Sequence, residues 1–183
     1  MGEMTAIERA VARDEIRQLA FAYADAIDRR DLDLLVSLYR ADARFGEHGE
    51  GAEAARAFFA ESLREIGMAV LLVANHLIEF DPPSPYDSYT ARGTVWAHGF
   101  IDDGAEGLIQ QLIKYEDRYV RVEGIWKFTR RRHLLWLGWR HAEPEPLAQA
   151  PANWPDRQIG LGSIPYDDEH WRRFWSRNQR TAR

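Results

Sequence analysis

The chain contains no cysteine. Disulfides, thiolate nucleophiles, zinc–thiolate sites and iron–sulfur clusters are therefore excluded. No stretch approaches the ~18 consecutive apolar residues of a membrane-spanning helix. Basic charge is not in excess: 24 Lys and Arg stand against 29 Asp and Glu, a net charge of -5, which disfavours a nucleic-acid partner. The run Arg130-Arg131-Arg132 and the arginines of the tail read as solvated charge. There is no GxGxxG, no phosphate-binding loop and no GxSxG elbow, so nucleotide-binding and serine-hydrolase readings lack support. No two histidines stand at i, i+4 and no His/Asp cluster is evident, so neither a metal nor another cofactor is expected, and His48 reads as a solvated loop residue. The opening stretch MGEMTAIERAVARDE is charged from Glu3 onward and has no apolar leader region, so a cytoplasmic protein is expected.

What the chain has in quantity is ring surface. Seven Trp, seven Tyr and eight Phe exceed what the core of a 183-residue chain needs, and four of the Trp fall between Trp96 and Trp139. Aromatic walls suit a flat, apolar ligand. At 45% hydrophobic and 29% charged residues, the chain can bury a core, and its length favours one domain plus an extension.

Helical periodicity opens the chain. Thr5 with Glu8 forms a capping-box pattern, and apolar residues recur from Ile7 through Val11, Ile16, Leu19, Ala20, Tyr23 and Ile27. Asp28-Arg29-Arg30-Asp31 interrupts the pattern, and Asp31 caps a second helix bearing Leu34, Leu35, Leu38 and Tyr39. Ala43-Arg44-Phe45 suggests a short strand, followed by a Gly- and Glu-rich loop. A third helix spans about Ala52–Ile66, with Ala55, Phe58, Phe59 and Leu63 inward, and Gly67 ends it. Four strands follow: Met68–Phe80, Tyr86–Ile101, Gly107–Val122 and Ile125–Leu137, the last two joined by a tight turn at Glu123-Gly124. In the third, Ile109, Gln111, Ile113, Tyr115, Asp117 and Tyr119 share one face. Three helices followed by a four-strand meander make an α+β domain whose sheet must curl under its helices. That domain is placed at 1–141. A Pro-rich extension at 142–183 carries a short helix near Pro165–Ser176, capped by Asp167 or Asp168, whose Trp171, Phe174 and Trp175 are expected to cover a neighbouring subunit or a pocket mouth.

The stretches AYADAIDRRDLDLLVSLYRADARF, NHLIEFD and YEDRYVRVEGIWKF, in this order and spacing, resemble the SnoaL-like branch of the nuclear transport factor 2-like superfamily, from about Ile7 to Arg132. The resemblance implies a cone-shaped barrel of a curled antiparallel sheet covered by N-terminal helices. It also implies a pocket of the kind found in scytalone dehydratase, bile-acid dehydratases, dehydrochlorinases, steroid isomerases, polyketide cyclases and non-enzymatic binding domains. Asp28 matches the aspartate that supports proton transfer in the dehydratases. Tyr23 matches a tyrosine of the bile-acid enzymes, His98 falls near the second histidine of scytalone dehydratase, and Arg131 lies close to an arginine after the final W-x-F segment. One departure stands out. Those enzymes keep a histidine four residues before the asparagine of NHLIEF, and here that position is Leu71. His76, of opposite parity in the strand, is expected to face away.

The expected chemistry is proton abstraction and elimination on a small apolar, aromatic or polycyclic molecule, by dehydration or a retro-aldol-like cleavage. Asp28 and His98 would act as base and acid, and Tyr23 and Arg131 would stabilise negative charge. Tyr39, Phe58, Trp96, Gln111, Tyr115 and His133 would line the pocket. Isomerisation or cyclisation in the same pocket, or a non-catalytic binding or scaffold domain, are the alternatives. Apolar residues on both parities of Leu108–Trp139 suggest a homodimer or homotrimer joined through the sheet.

Overall fold

Thr5 begins the first helix as foreseen. Its side chain accepts from the Glu8 N–H, and the Glu8 carboxylate accepts from the Thr5 N–H at 2.7 Å. The helix, α1, runs Ala6–Arg29. Its buried stripe is Ala12, Ile16, Leu19 and Ala20, while Ile7 and Val11 lie off it and are exposed. The short α2, Leu32–Ser37, is capped by Asp31, which accepts from the Leu34 N–H at 2.9 Å. Arg44 makes only an isolated bridge to Glu50, so the strand expected at Ala43–Phe45 is a single bridge ahead of a 3-10 turn at Gly46–His48. Helix α3, Ala52–Arg64, buries Ala54, Ala55, Phe59 and Leu63. Phe58 lies at the rim of that buried stripe, against Phe45 and Phe59, and is more exposed than expected, at 38%. The computed structural model describes residues 3–82, 89–102, 107–141 and 168–178.

Four antiparallel strands follow as a meander in the order β1-β2-β3-β4, with no closure between β1 and β4. They are β1 Ala69–Phe80, β2 Thr90–Asp102, β3 Leu108–Val122 and β4 Ile125–His141, of 12, 13, 15 and 17 residues. The helices cover the inner face, where Ala20 of α1 packs with Val95, Ala97, Ile113 and Tyr115. A last helix, α4, spans Glu169–Arg177 with Asp168 as its cap. It was expected over a neighbour or a pocket mouth. The helix lies on its own chain, with Phe174 buried among Ala26, Leu35, Phe59 and Leu63. The segment 142–167 of the expected extension lies outside the described residues.

Two of the three register shifts in the described strands decide which side chains meet. In β1 the pairing jumps from Val73↔Ala97 to His76↔Val95, so Ala74 and Asn75 together oppose Trp96. This bulge reverses the side-chain alternation. Leu71 and Val73 face inward before it, and His76, Ile78 and Phe80 after it, as their half-burial between exposed neighbours records. In β4 the pairing jumps from Tyr119↔Phe128 to Arg118↔Arg130, which places both Phe128 and Arg131 on the inner face despite their opposite parity.

Candidate functional site

Asp28 sits in the last turn of α1, against the unpaired edge of β1. The Leu71 N–H on that edge donates to both carboxylate oxygens, at 3.0 Å and 3.3 Å. Burial pushes the carboxyl up to about 7, against the Leu71 N–H and the Arg30 charge, which favour the ionised form, while Asp25 adds to the rise. A carboxyl so placed exchanges its proton near neutral pH.

Across the inner face, Arg131 and Asp117 form a buried, two-pronged ion pair. Nε donates to Oδ1 and Nη2 to Oδ2, both at 3.0 Å, with side chains 3% and 0% exposed. The guanidinium is packed by rings, its carbon 4.3 Å from the Tyr23 centroid, 4.2 Å from Tyr115 and 4.6 Å from Phe128. Burial works against its charge, but Asp117 and the surrounding tyrosines more than offset this, and Arg131 stays cationic. Burial raises the Tyr23 hydroxyl, with Arg131 pulling it back, and raises Tyr39 and Tyr115 as well.

The pair continues outward. The Tyr119 hydroxyl donates to Asp117 Oδ2 at 2.8 Å and lies 3.1 Å from His76 Nε2. Tyr119 has one proton and gives it to the carboxylate, so its oxygen accepts from His76, and the proton of the neutral imidazole belongs on Nε2. His76 Nδ1 is then a buried acceptor without a partner among the described residues. Burial first, then the Arg131 and Arg17 charges, lower His76 to about 4, consistent with a neutral ring. The expectation that His76 faces away is thus overturned by the bulge at Ala74-Asn75. Gly93 makes room for this contact: a Cβ there would stand 2.8 Å from the Tyr119 hydroxyl and 3.2 Å from His76 Nε2. Gly93→Ala is expected to lower stability by about 1–3 kcal/mol, seen as a fall of several degrees in Tm.

The other expected site residues divide between the two faces. Tyr115 is a hub, with ring centroids 5.9 Å from Tyr23 and 5.4 Å from His133, and the Asp28 charge acts on its hydroxyl. His133 shares that inner face, and burial, then Arg131, lower its pKa. Gln111 is on the same face, further along β3, opposite Gly99 and Gly138. Tyr39 packs on Phe45, Phe59 and Phe128. His98 and Trp96 correct the expectation. The inward residues of β2 are the small ones, Ala91, Val95 and Ala97, so Trp96 and His98 point to the outer face. There His98 packs on Phe100 at 4.4 Å and Trp96 on Trp136 at 5.2 Å. The sheet therefore separates His98 from Asp28, and the two cannot share a proton. Phe58 stays at the rim of α3, against Phe45, Phe59 and His48.

An open groove of about 310 Å³ lies on the outer face, lined by Glu79, Arg92, Glu116, Arg118, Arg130 and Arg132 among others. Its side chains point away from Asp28, and it is not the candidate site. Among the described residues no cluster of three or more His, Asp or Glu is placed to hold a metal ion, and no helix is long and apolar enough to cross a membrane.

The same architecture recurs in solved structures. A proposed scytalone dehydratase from Novosphingobium aromaticivorans DSM 12444 superposes with a TM-score of 0.61 at 18% identity, over 77% of this chain and 97% of that one. The hexachlorocyclohexane dehydrochlorinase LinA type 3 from Novosphingobium barchaimii LL02 gives 0.62 at 22% identity, over 75% and 95%. A Mycobacterium tuberculosis protein of unknown function gives 0.58 at 19% identity, over 97% and 96%. At these identities the likeness speaks for the fold. No curated protein matches the sequence. The profile of the SnoaL-like domain matches residues 8–132, which contain all but the first two residues of α1, the whole of α2 and α3, the first three strands and the Asp117–Arg131 pair. The chain belongs to the SnoaL-like domain family.

Proposed function

We propose that the chain is a cofactor-independent lyase that removes a proton beside an activated carbon of a small, apolar, aromatic or polycyclic molecule and expels a leaving group. The observation that carries this reading is Asp28, a half-buried carboxyl raised to about 7 and held by the Leu71 N–H at the edge of the inner face. Ionised, it abstracts the proton. Tyr23 and Arg131, in contact on the inner face, supply a hydroxyl donor and a fixed positive charge to the oxygen or halide on which negative charge develops. Neutral His133, beside Tyr115, supplies a further polar contact. The dehydratase and dehydrochlorinase neighbours support elimination over the same fold. Isomerisation or cyclisation would use the same groups.

A panel of hydroxylated and halogenated ring compounds, followed for release of water, halide or aldehyde, tests the reading. The expected kcat/KM rises with pH through an apparent pKa near 7 and levels above it, because the working form of Asp28 is the carboxylate. A profile flat through pH 5–9, with full rate in Asp28→Asn, would sink it. The second reading is a non-catalytic binding domain. Leu71 favours it, standing where the resemblance leads one to expect an imidazole. A binding domain would keep its ligand affinity in Asp28→Asn.

The outer face carries Leu72, Leu77, Trp136, Leu137 and Trp139, all at least 39% exposed. A homodimer or homotrimer joined through this face is expected, and a monomeric mass by light scattering at micromolar concentration would reject it.

A further inference from the structure

We propose that the first turn of α4 is a clasp that positions Asp28, its residues Asp168, Trp171 and His170 holding in turn Arg29, Arg30 and Asp31, the three residues that follow Asp28 in the chain. The functional weight of the clasp rests on reading Asp28 as the working carboxyl; its geometry does not.

Asp28 occupies a weak place in the chain. It lies one residue before the end of α1, in the turn whose carbonyls have no onward helical partners and which frays most readily. The helix stops at Arg30, a non-glycine residue in the left-handed region at φ 61, a conformation that costs about 1 kcal/mol and persists only where the surroundings enforce it. Arg30 is only 2% exposed. Its guanidinium donates through Nη1 to the Ile27 carbonyl at 2.5 Å and through Nη2 to the Gly67 carbonyl, tying the end of α1 to the loop before β1. Nε is buried without a hydrogen-bond partner among the described residues. Burial costs this cation its water, and the Trp171 ring that covers it at 4.9 Å offers its face to the charge in exchange.

The flanking contacts come from the same turn. Arg29 Nε donates to Asp168 Oδ2 at 2.9 Å, joining residues 139 positions apart. The other oxygen of Asp168 caps α4, accepting from the His170 and Trp171 N–H groups at 2.9 Å and 3.2 Å. His170 Nδ1 lies 3.4 Å from Asp31 Oδ2, while Asp31 Oδ1 caps α2. Three consecutive residues of the α1–α2 corner are thus gripped by three residues of one helical turn. Phe174, 3% exposed among Ala26, Leu35, Phe59 and Leu63, anchors that turn. The groups acting on Asp28 itself are the Leu71 N–H of β1, Arg30, and Asp25 on its own helix, and the Asp28 charge in turn reaches Tyr115 of β3. The clasp acts on Asp28 through the backbone and through Arg30.

The test is the ¹³C-detected titration of the Asp28 carboxyl, assigned by its loss in Asp28→Asn, together with exchange of the Leu71 amide that it holds. Trp171→Ala is expected to lower the Asp28 midpoint by about one pH unit or more and to speed Leu71 exchange at least tenfold, with the Phe128 amide unaffected. Trp171→Phe, which keeps a ring over Arg30, is expected to retain both wild-type values. An unchanged midpoint and unchanged Leu71 exchange in folded Trp171→Ala would overturn the proposal. If that variant fails to fold, Asp168→Asn, which keeps a capping oxygen but removes the charge facing Arg29, decides the matter by the same two readouts. A shifted midpoint in a protein without turnover sinks the lyase reading alone. An active enzyme with an unmoved midpoint sinks the clasp alone.

Discussion

Asp28→Asn is expected to cut turnover by about 10²–10⁴-fold and, at the same time, to make the protein more stable at pH 8. The second half follows from the first. A carboxyl moved from 3.8 to about 7 is protonated in the folded chain over a range where the unfolded chain has already released its proton. Folding therefore carries a cost that is absent below pH 3.8, grows as the pH rises toward about 7, and is present in full above it. A shift of that size corresponds to at most about 4 kcal/mol, and partial exposure of the group reduces the expected gain to about 1–2 kcal/mol. Asparagine keeps an oxygen for the Leu71 N–H and carries no charge to bury. Thermal unfolding of both proteins at pH 4, 6 and 8 should show the variant's advantage widening with pH. Equal stability at all three values would mean that the carboxyl is not held in a desolvated place.

Asp117→Ala should be the most damaging single change on the inner face, costing about 3–5 kcal/mol. It leaves the Arg131 guanidinium buried and unpaired, and it removes the acceptor of the Tyr119 hydroxyl. Replacing the set together, as Asp117→Leu with Tyr119→Phe and Arg131→Met, is expected to recover most of that loss, because a buried ion pair is often no more stabilising than apolar side chains of similar volume. Urea unfolding of the single and triple variants would separate the two effects. A triple variant as unstable as the single one would show that the ion pair itself, rather than its broken half, holds the cone together. Recovered stability with lost turnover would place the value of Arg131 in chemistry.

Much of this architecture was legible in the residues. The Thr5–Glu8 capping box, the Asp31 cap, the turn at Glu123-Gly124 and the order of three helices before four strands are local signals, and local rules govern them. The inner face of β3 was legible for the same reason: its own side-chain alternation runs unbroken from Gln111 to Tyr119. The errors concern parity across irregular strands and the choice of face. Counting by twos from Leu71 puts His76 outside, and nothing in VANHL announces that two residues will share one partner. The choice of face in β2 misled differently. Large rings at Trp96 and His98 look like pocket walls, yet a tightly curled sheet needs its small residues, Val95 and Ala97, on the concave side. The grip of α4 on Arg29–Asp31 spans 139 positions and no short-range rule reaches it.

The unequal strands have one more consequence. β4 has 17 residues against 12 in β1, but two of the extra residues are taken up by its register shifts, one of them at Trp136, and its last residue still pairs, His141 opposite Leu108 and Leu108 opposite Asp102. Trp136 and Trp139 stand on the outer face of this paired end, five and eight residues along β4 from the Arg131 of the Asp117–Arg131 keel. Evolution can therefore recut this outer surface, and with it whatever the sheet's back meets, while leaving the keel untouched.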